Sequence, residues 1–115
     1  MSNKTVRLFL FLLFSAILAG MIAVTVTASL DRGIFVAGRE LMQDAWFRAT
    51  LCDAYFGFIT FYVWVAYRER RLASQIGWFV AIMLLGNIAM SIYVLLQLVR
   101  MAPDAPLESL LLRKS

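Results

Sequence analysis

The chain has 115 residues and a formal net charge of +4; 63% of the residues are hydrophobic and 16% charged. Soluble domains are about half apolar and a quarter charged, and a chain this short buries only about 65% of its surface, so the surplus apolar side chains must face lipid or a partner. The low polarity excludes disorder, the single Cys52 excludes a disulfide scaffold, and the lack of histidine removes His-ligated haem, His zinc sites and Ser-His or Cys-His catalysis.

Lys and Arg at 4, 7, 32, 39, 48, 68, 70, 71, 100, 113 and 114 sit beside apolar runs rather than along one face. That is the pattern of topology signals and headgroup anchors, and it argues against nucleic acid as a partner. The charges divide the chain into apolar stretches at about residues 8–30, 49–67 and 75–99. At ~1.5 Å per residue these reach roughly 28–38 Å, enough to cross a hydrocarbon core of about 30 Å. None alternates polar and apolar residues, which excludes barrel strands. The expected fold is an all-α membrane domain over residues 1–115: three transmembrane helices, with an interfacial amphipathic helix at about 39–48 between the first and second. The partners expected are the bilayer and other membrane protein.

The first stretch follows Lys4 and Arg7 as a signal peptide does, but its apolar run of about 23 residues exceeds the roughly 7–15 of a signal core. It reads as a retained helix. Ser15, Ala19 and Ala23 recur at four-residue intervals with Gly20 alongside, and small residues so spaced let another helix approach closely, inside the bundle or from a partner. In the first connection, Leu41, Met42, Ala45 and Trp46 share one face, and Asp44 and Arg48 are placed to pair at i,i+4. The second connection, residues 68–74, makes the flanking spans an antiparallel hairpin, with Ser74 available as a cap. The segment from 102 onward, with Pro103 and Pro106, reads as a peripheral tail. On a three-span topology the N-terminus and second connection share one side and carry five basic residues. The other side carries six, so the tight Arg68-Arg70-Arg71 cluster decides: N-terminus cytoplasmic, C-terminus opposite.

Asp53 is the one acid inside a span, and an intramembrane carboxylate is costly enough to need a partner. Counting depth from one membrane face brings Thr25 of the first helix and Tyr93 and Gln97 of the third to its level. The face Asp53, Gly57, Thr60, Trp64 turns inward with them. This polar layer reads either as a site or as interhelical hydrogen bonding, and Arg48 is a further candidate partner for Asp53. Asn87, with Gly86 before it, reads as packing glue toward Thr60 or Ser15. The glycines fit no phosphate loop or dinucleotide fingerprint, and no metal or cofactor is expected.

The stretch Asp44-Ala-Trp-Phe-Arg-Ala-Thr-Leu-Cys-Asp53-Ala-Tyr55, with Trp64-Val-Ala-Tyr-Arg-Glu69 and Gly86 to Tyr93 and Gln97, resembles an uncharacterised family of small three-span membrane proteins. The similarity covers about residues 8–100. It implies the same fold, marks Thr50, Asp53, Tyr55, Trp64, Glu69, Gly86, Tyr93 and Gln97 as family-type positions, and implies no activity. The leading expectation is an accessory or structural subunit that packs against a larger membrane complex or itself, with no enzymatic role. The alternative is a membrane enzyme or binding protein for an isoprenoid-like lipid or quinone, with Asp53 as the acid and Phe56, Trp64 and Tyr93 as aromatic partners. A proton or transport pathway would need a homo-oligomer with Asp53 on its axis.

Overall fold

The structure, a computed structural model, describes residues 3–113; Lys114, its share of the charge count and the end of the expected tail lie outside the described residues. These residues form five α-helices, with no strand among them: α1 Asn3–Asp31, α2 Ile34–Leu41, α3 Ala45–Arg68, α4 Leu72–Leu85 and α5 Asn87–Arg100. A 3₁₀ turn follows at Leu107–Leu110. Two of the helices, α1 and α3, are long and apolar enough to cross a membrane.

The third expected span is not one helix. At Gly86 the backbone takes φ 55 and ψ −123, a conformation that only glycine adopts without strain. Its amide closes α4 on the Ile82 carbonyl, and its own carbonyl accepts from the Met90 amide and opens α5. The chain reverses: Tyr93, seven residues past Gly86, stacks edge-on against Trp78, eight residues before it, with ring centroids 4.9 Å apart. In an unbroken helix those rings would stand about 22 Å apart. A Cβ at Gly86 would lie 2.6 Å from Cζ of Phe58, so the turn and its seat on α3 both require this glycine. The hairpin carries the C-terminal segment back to the end where α1 begins, which corrects the expected opposite placement of the C-terminus.

Helix ends strand carbonyls, and in apolar surroundings each must find a donor. The Tyr55 hydroxyl of α3 donates to the Met83 carbonyl in the last turn of α4 at 3.1 Å. Arg7 of α1 does the same for α5, its guanidinium donating to the carbonyls of Leu98, Met101 and Ala102 at 2.5, 2.8 and 3.0 Å. A cation there also complements the negative end of the helix dipole. Packing follows the same plan. Leu10 and Phe14 of α1 and Phe61 and Trp64 of α3 close on Val94 and Leu98 of α5 and on Leu110, so α5 is the central helix. The tail docks on α3: Trp64 Nε1 donates to the Leu111 carbonyl and Arg113 Nε to the Tyr67 carbonyl.

The first connection also differs. The helix between the long ones is Ile34–Leu41, not 39–48, because Asp44 serves as the N-cap of α3, its carboxylate accepting from the Trp46 and Phe47 amides. Arg48 donates to the Met42 carbonyl instead of pairing with Asp44 or Asp53. Ser74 falls within the first turn of α4, whose N-cap is Arg71.

Gly86→Ala should cost about 2–3 kcal/mol or more, because a side chain forces both the positive φ and the Phe58 clash. Gly20→Ala on α1, where a Cβ meets nothing within 4 Å, should stay within about 1 kcal/mol of the parent. Unfolding titrations in detergent measure both.

Candidate functional site

The hairpin delivers α5 to the point where α3 stops. Helix α3 ends at Arg68, and Glu69 adopts extended backbone, so the chain enters α4 after three residues. Both charged side chains are withdrawn from solvent, Arg68 at 6% exposure and Glu69 at 5%. A buried charge is tolerated only when it is fully hydrogen-bonded, and α5 supplies a partner for each. Arg68 Nη1 donates to Gln97 Oε1 at 3.0 Å, and its Nε donates to the Leu110 carbonyl at 2.7 Å. The Tyr93 hydroxyl donates to Glu69 Oε2 at 2.7 Å. Tyr93 and Gln97 stand four residues apart, one helical turn, and so meet the last residue of α3 and the residue after it from one face.

Two further clamps fix the connection itself. Gln75 Nε2 donates to the Ala66 and Glu69 carbonyls, and the Tyr62 hydroxyl donates to the Gln75 carbonyl. Around the fully buried Tyr93, the rings of Trp78, Trp64 and Phe61 meet it edge-on at 4.9, 5.4 and 6.2 Å. Edge-to-face rings at these separations add to the burial energy. Among the described residues, no buried side-chain nitrogen or oxygen lacks a hydrogen-bond partner. Chemically, this is a closed polar lock within an aromatic shell. Its outer edge, the flank of Glu69, borders an open cleft.

Of the residues expected at a site, Tyr93, Gln97 and Trp64 come together, and they do so around Arg68 and Glu69. Asp53 is exposed on α3, eleven residues and about 16 Å along the helix from Trp64. Thr25 is exposed near the α1–α2 junction. The layer of Thr25, Asp53, Tyr93 and Gln97 is therefore not assembled, because depth counted along an unbroken third helix runs the wrong way after Gly86. The same separation parts Asp53 from Trp64 and Tyr93, two of its three expected aromatic partners, while Phe56 stands three residues from it, exposed on α3. Asn87 is exposed, and Thr60 bonds its own helix at Phe56. Of the small residues on α1, Ser15 is partly covered while Ala19, Gly20 and Ala23 are exposed, as is Gly57 on α3.

Arg68 and Glu69 read in the sequence as loop charges; Glu69 stood out only by resemblance. The pattern that points to them is a lone acid in a basic cluster at a helix end, with a Tyr-x-x-x-Gln pair ahead in the next apolar stretch. The family described as "protein of unknown function (DUF1475)" matches residues 3–115, and the chain belongs to it. No curated protein and no solved structure matches the chain.

Tyr93→Phe, which takes a donor from the buried Glu69 carboxylate, should destabilise the fold by about 1–3 kcal/mol. Asp53→Asn, at an exposed position, should change stability by no more than about 0.5 kcal/mol. Parallel denaturation curves in detergent separate the two.

Proposed function

We infer that this chain is an integral membrane protein in which α1 and α3 cross the bilayer, while the α4–α5 hairpin enters from the arginine-rich end and returns to it. On this reading it acts as a small subunit, packing its uncovered α1/α3 face against another membrane protein, a second copy included. At ~1.5 Å per residue, α4 and α5 reach about 21 Å each, against about 36 Å for α3. Beyond the Gly86 turn, the later half of α1 and the earlier half of α3 are exposed almost throughout.

The observation that carries the reading is Asp53. It lies about 12 Å inside α3, on the exposed face with Gly57 and Thr60, and has no hydrogen bond or ion pair among the described residues. Lipid covers apolar surface at no cost but does not satisfy a carboxylate. Exposed Gly57, and Ala19, Gly20 and Ala23 on α1, supply the close approach that helix association in lipid uses.

The hairpin also sharpens the orientation. Lys4, Arg7, Arg68, Arg70, Arg71, Arg100 and Arg113 all gather at one end, and Arg32, Arg39 and Arg48 at the other. Seven basic residues against three favour a cytoplasmic location for the first end, with the amino-terminal and carboxy-terminal segments both there.

Extracted in mild detergent, the chain should migrate as a discrete assembly above its 13.0 kDa monomer mass. Gly57→Leu or Asp53→Leu should weaken that assembly by about tenfold. Migration of the parent chain as a monomer alone would refute the subunit reading.

A further inference from the structure

We propose that the cleft beside the α3–α4 connection binds the phosphate headgroup of an anionic phospholipid, with one acyl chain running down α4. The cleft has a volume of about 380 Å³ and is lined by Arg70, Arg71, Ser74, Trp78, Leu96 and Arg100 around the flank of Glu69. Arg70 and Arg71 come from the connection, and Arg100 arrives from the end of α5 only because the chain folds back at Gly86. Among the described residues, none of the three guanidinium groups has a hydrogen-bond or ion-pair partner.

Planar guanidinium groups grip phosphate oxygens in pairs. Glu69 subtracts one charge, and its Oε2 already accepts from Tyr93, so the lining keeps a net charge of +2 on three arginines and one acid. Helix α4 adds to this: it has no side-chain cap at Arg71, so its first-turn amides and positive dipole end lie at the same cleft.

A free phosphate ion and a lipid headgroup share this chemistry, and the adjoining surface favours the lipid. From Ser74 and Trp78 the cleft continues into a shallow, almost wholly apolar groove of about 280 Å³ lined by Ser74, Gly77, Trp78 and Ala81. These are the successive positions of one helix face, and Gly77 leaves its floor open, with nothing within 4 Å of where a Cβ would stand. A charged head joined to an apolar furrow matches a phospholipid, whereas free phosphate has no use for the furrow.

The inference rests on the membrane placement above. Its test is lipid retention by the full-length chain, read by native mass spectrometry from micelles holding equal phosphatidylcholine and phosphatidylglycerol. The parent chain should retain phosphatidylglycerol over phosphatidylcholine on the order of tenfold. The triple variant Arg70→Gln, Arg71→Gln, Arg100→Gln should fall to parity. Gly77→Leu, which fills the furrow and leaves the arginines in place, should also lose retention, and millimolar inorganic phosphate should not displace the lipid from the parent chain. Equal retention of both lipids by the parent, or undiminished preference in the triple variant, would overturn the proposal. Displacement by inorganic phosphate with Gly77→Leu behaving as the parent would overturn it in favour of a free-phosphate site. Release of the chain from membranes by alkaline carbonate would instead defeat the membrane placement, so the two failures are distinguishable.

Discussion

The last carbonyls of a helix must find donors, and the rest of this structure is arranged around that requirement. Breaking the third apolar stretch at Gly86 creates a carboxyl end for α4 that a continuous helix would not have had, and it returns the carboxyl end of α5 to the start of α1. Tyr55 answers the end of α4 and Arg7 the end of α5. Each donor comes from a different long helix, so the bonds that complete the hairpin also tie it to both neighbours. The reversal then sets α5 between α1 and α3, gathers the arginines at one end and leaves the opposite halves of the long helices uncovered.

The lock at Arg68, Glu69, Tyr93 and Gln97 is a second use of the same rule. Two opposite charges are drawn out of solvent where α3 ends, and α5 answers each with a neutral side chain. Polar pairs of this kind add little stability compared with an apolar replacement, but they penalise misregister severely. Sliding α5 by one turn would set Tyr93 opposite Arg68 and leave Glu69 without its hydroxyl donor. The apolar surface of α5 alone, rich in interchangeable Leu and Val, does not distinguish such registers.

Much of this architecture is legible in the sequence. Runs of apolar residues between charges mark the helical class and the two long helices. The fold-back is not legible in the same way, because Gly20, Gly57 and Gly77 sit inside helices without breaking them, and Gly86 too lies within a long apolar stretch. What sets Gly86 apart is Asn87 immediately after it and Phe58 of α3 against it; the first is a weak local cue and the second is tertiary. That one reversal explains the outcome at the candidate site. Tyr93, Gln97 and Trp64 share an environment, while Asp53 and Thr25 lie elsewhere because α5 runs opposite to the direction of an unbroken third helix. The start of α3 shows a smaller version. Asp44 reads as a helical pairing partner of Arg48, but a carboxylate just ahead of Trp46 and Phe47 satisfies their amides better as a cap.

Arg7 has a consequence for how the chain comes to be built. It sits in α1, yet its three carbonyl partners, Leu98, Met101 and Ala102, are more than ninety residues downstream. More than ninety residues must be synthesised after Arg7 before this contact closes, which makes it a long loop to shut and a late event in folding. Until then Arg7 lacks these three acceptors and the end of α5 lacks this donor. The contact that joins α1 to the end of α5 therefore closes only after every helix between them has been made.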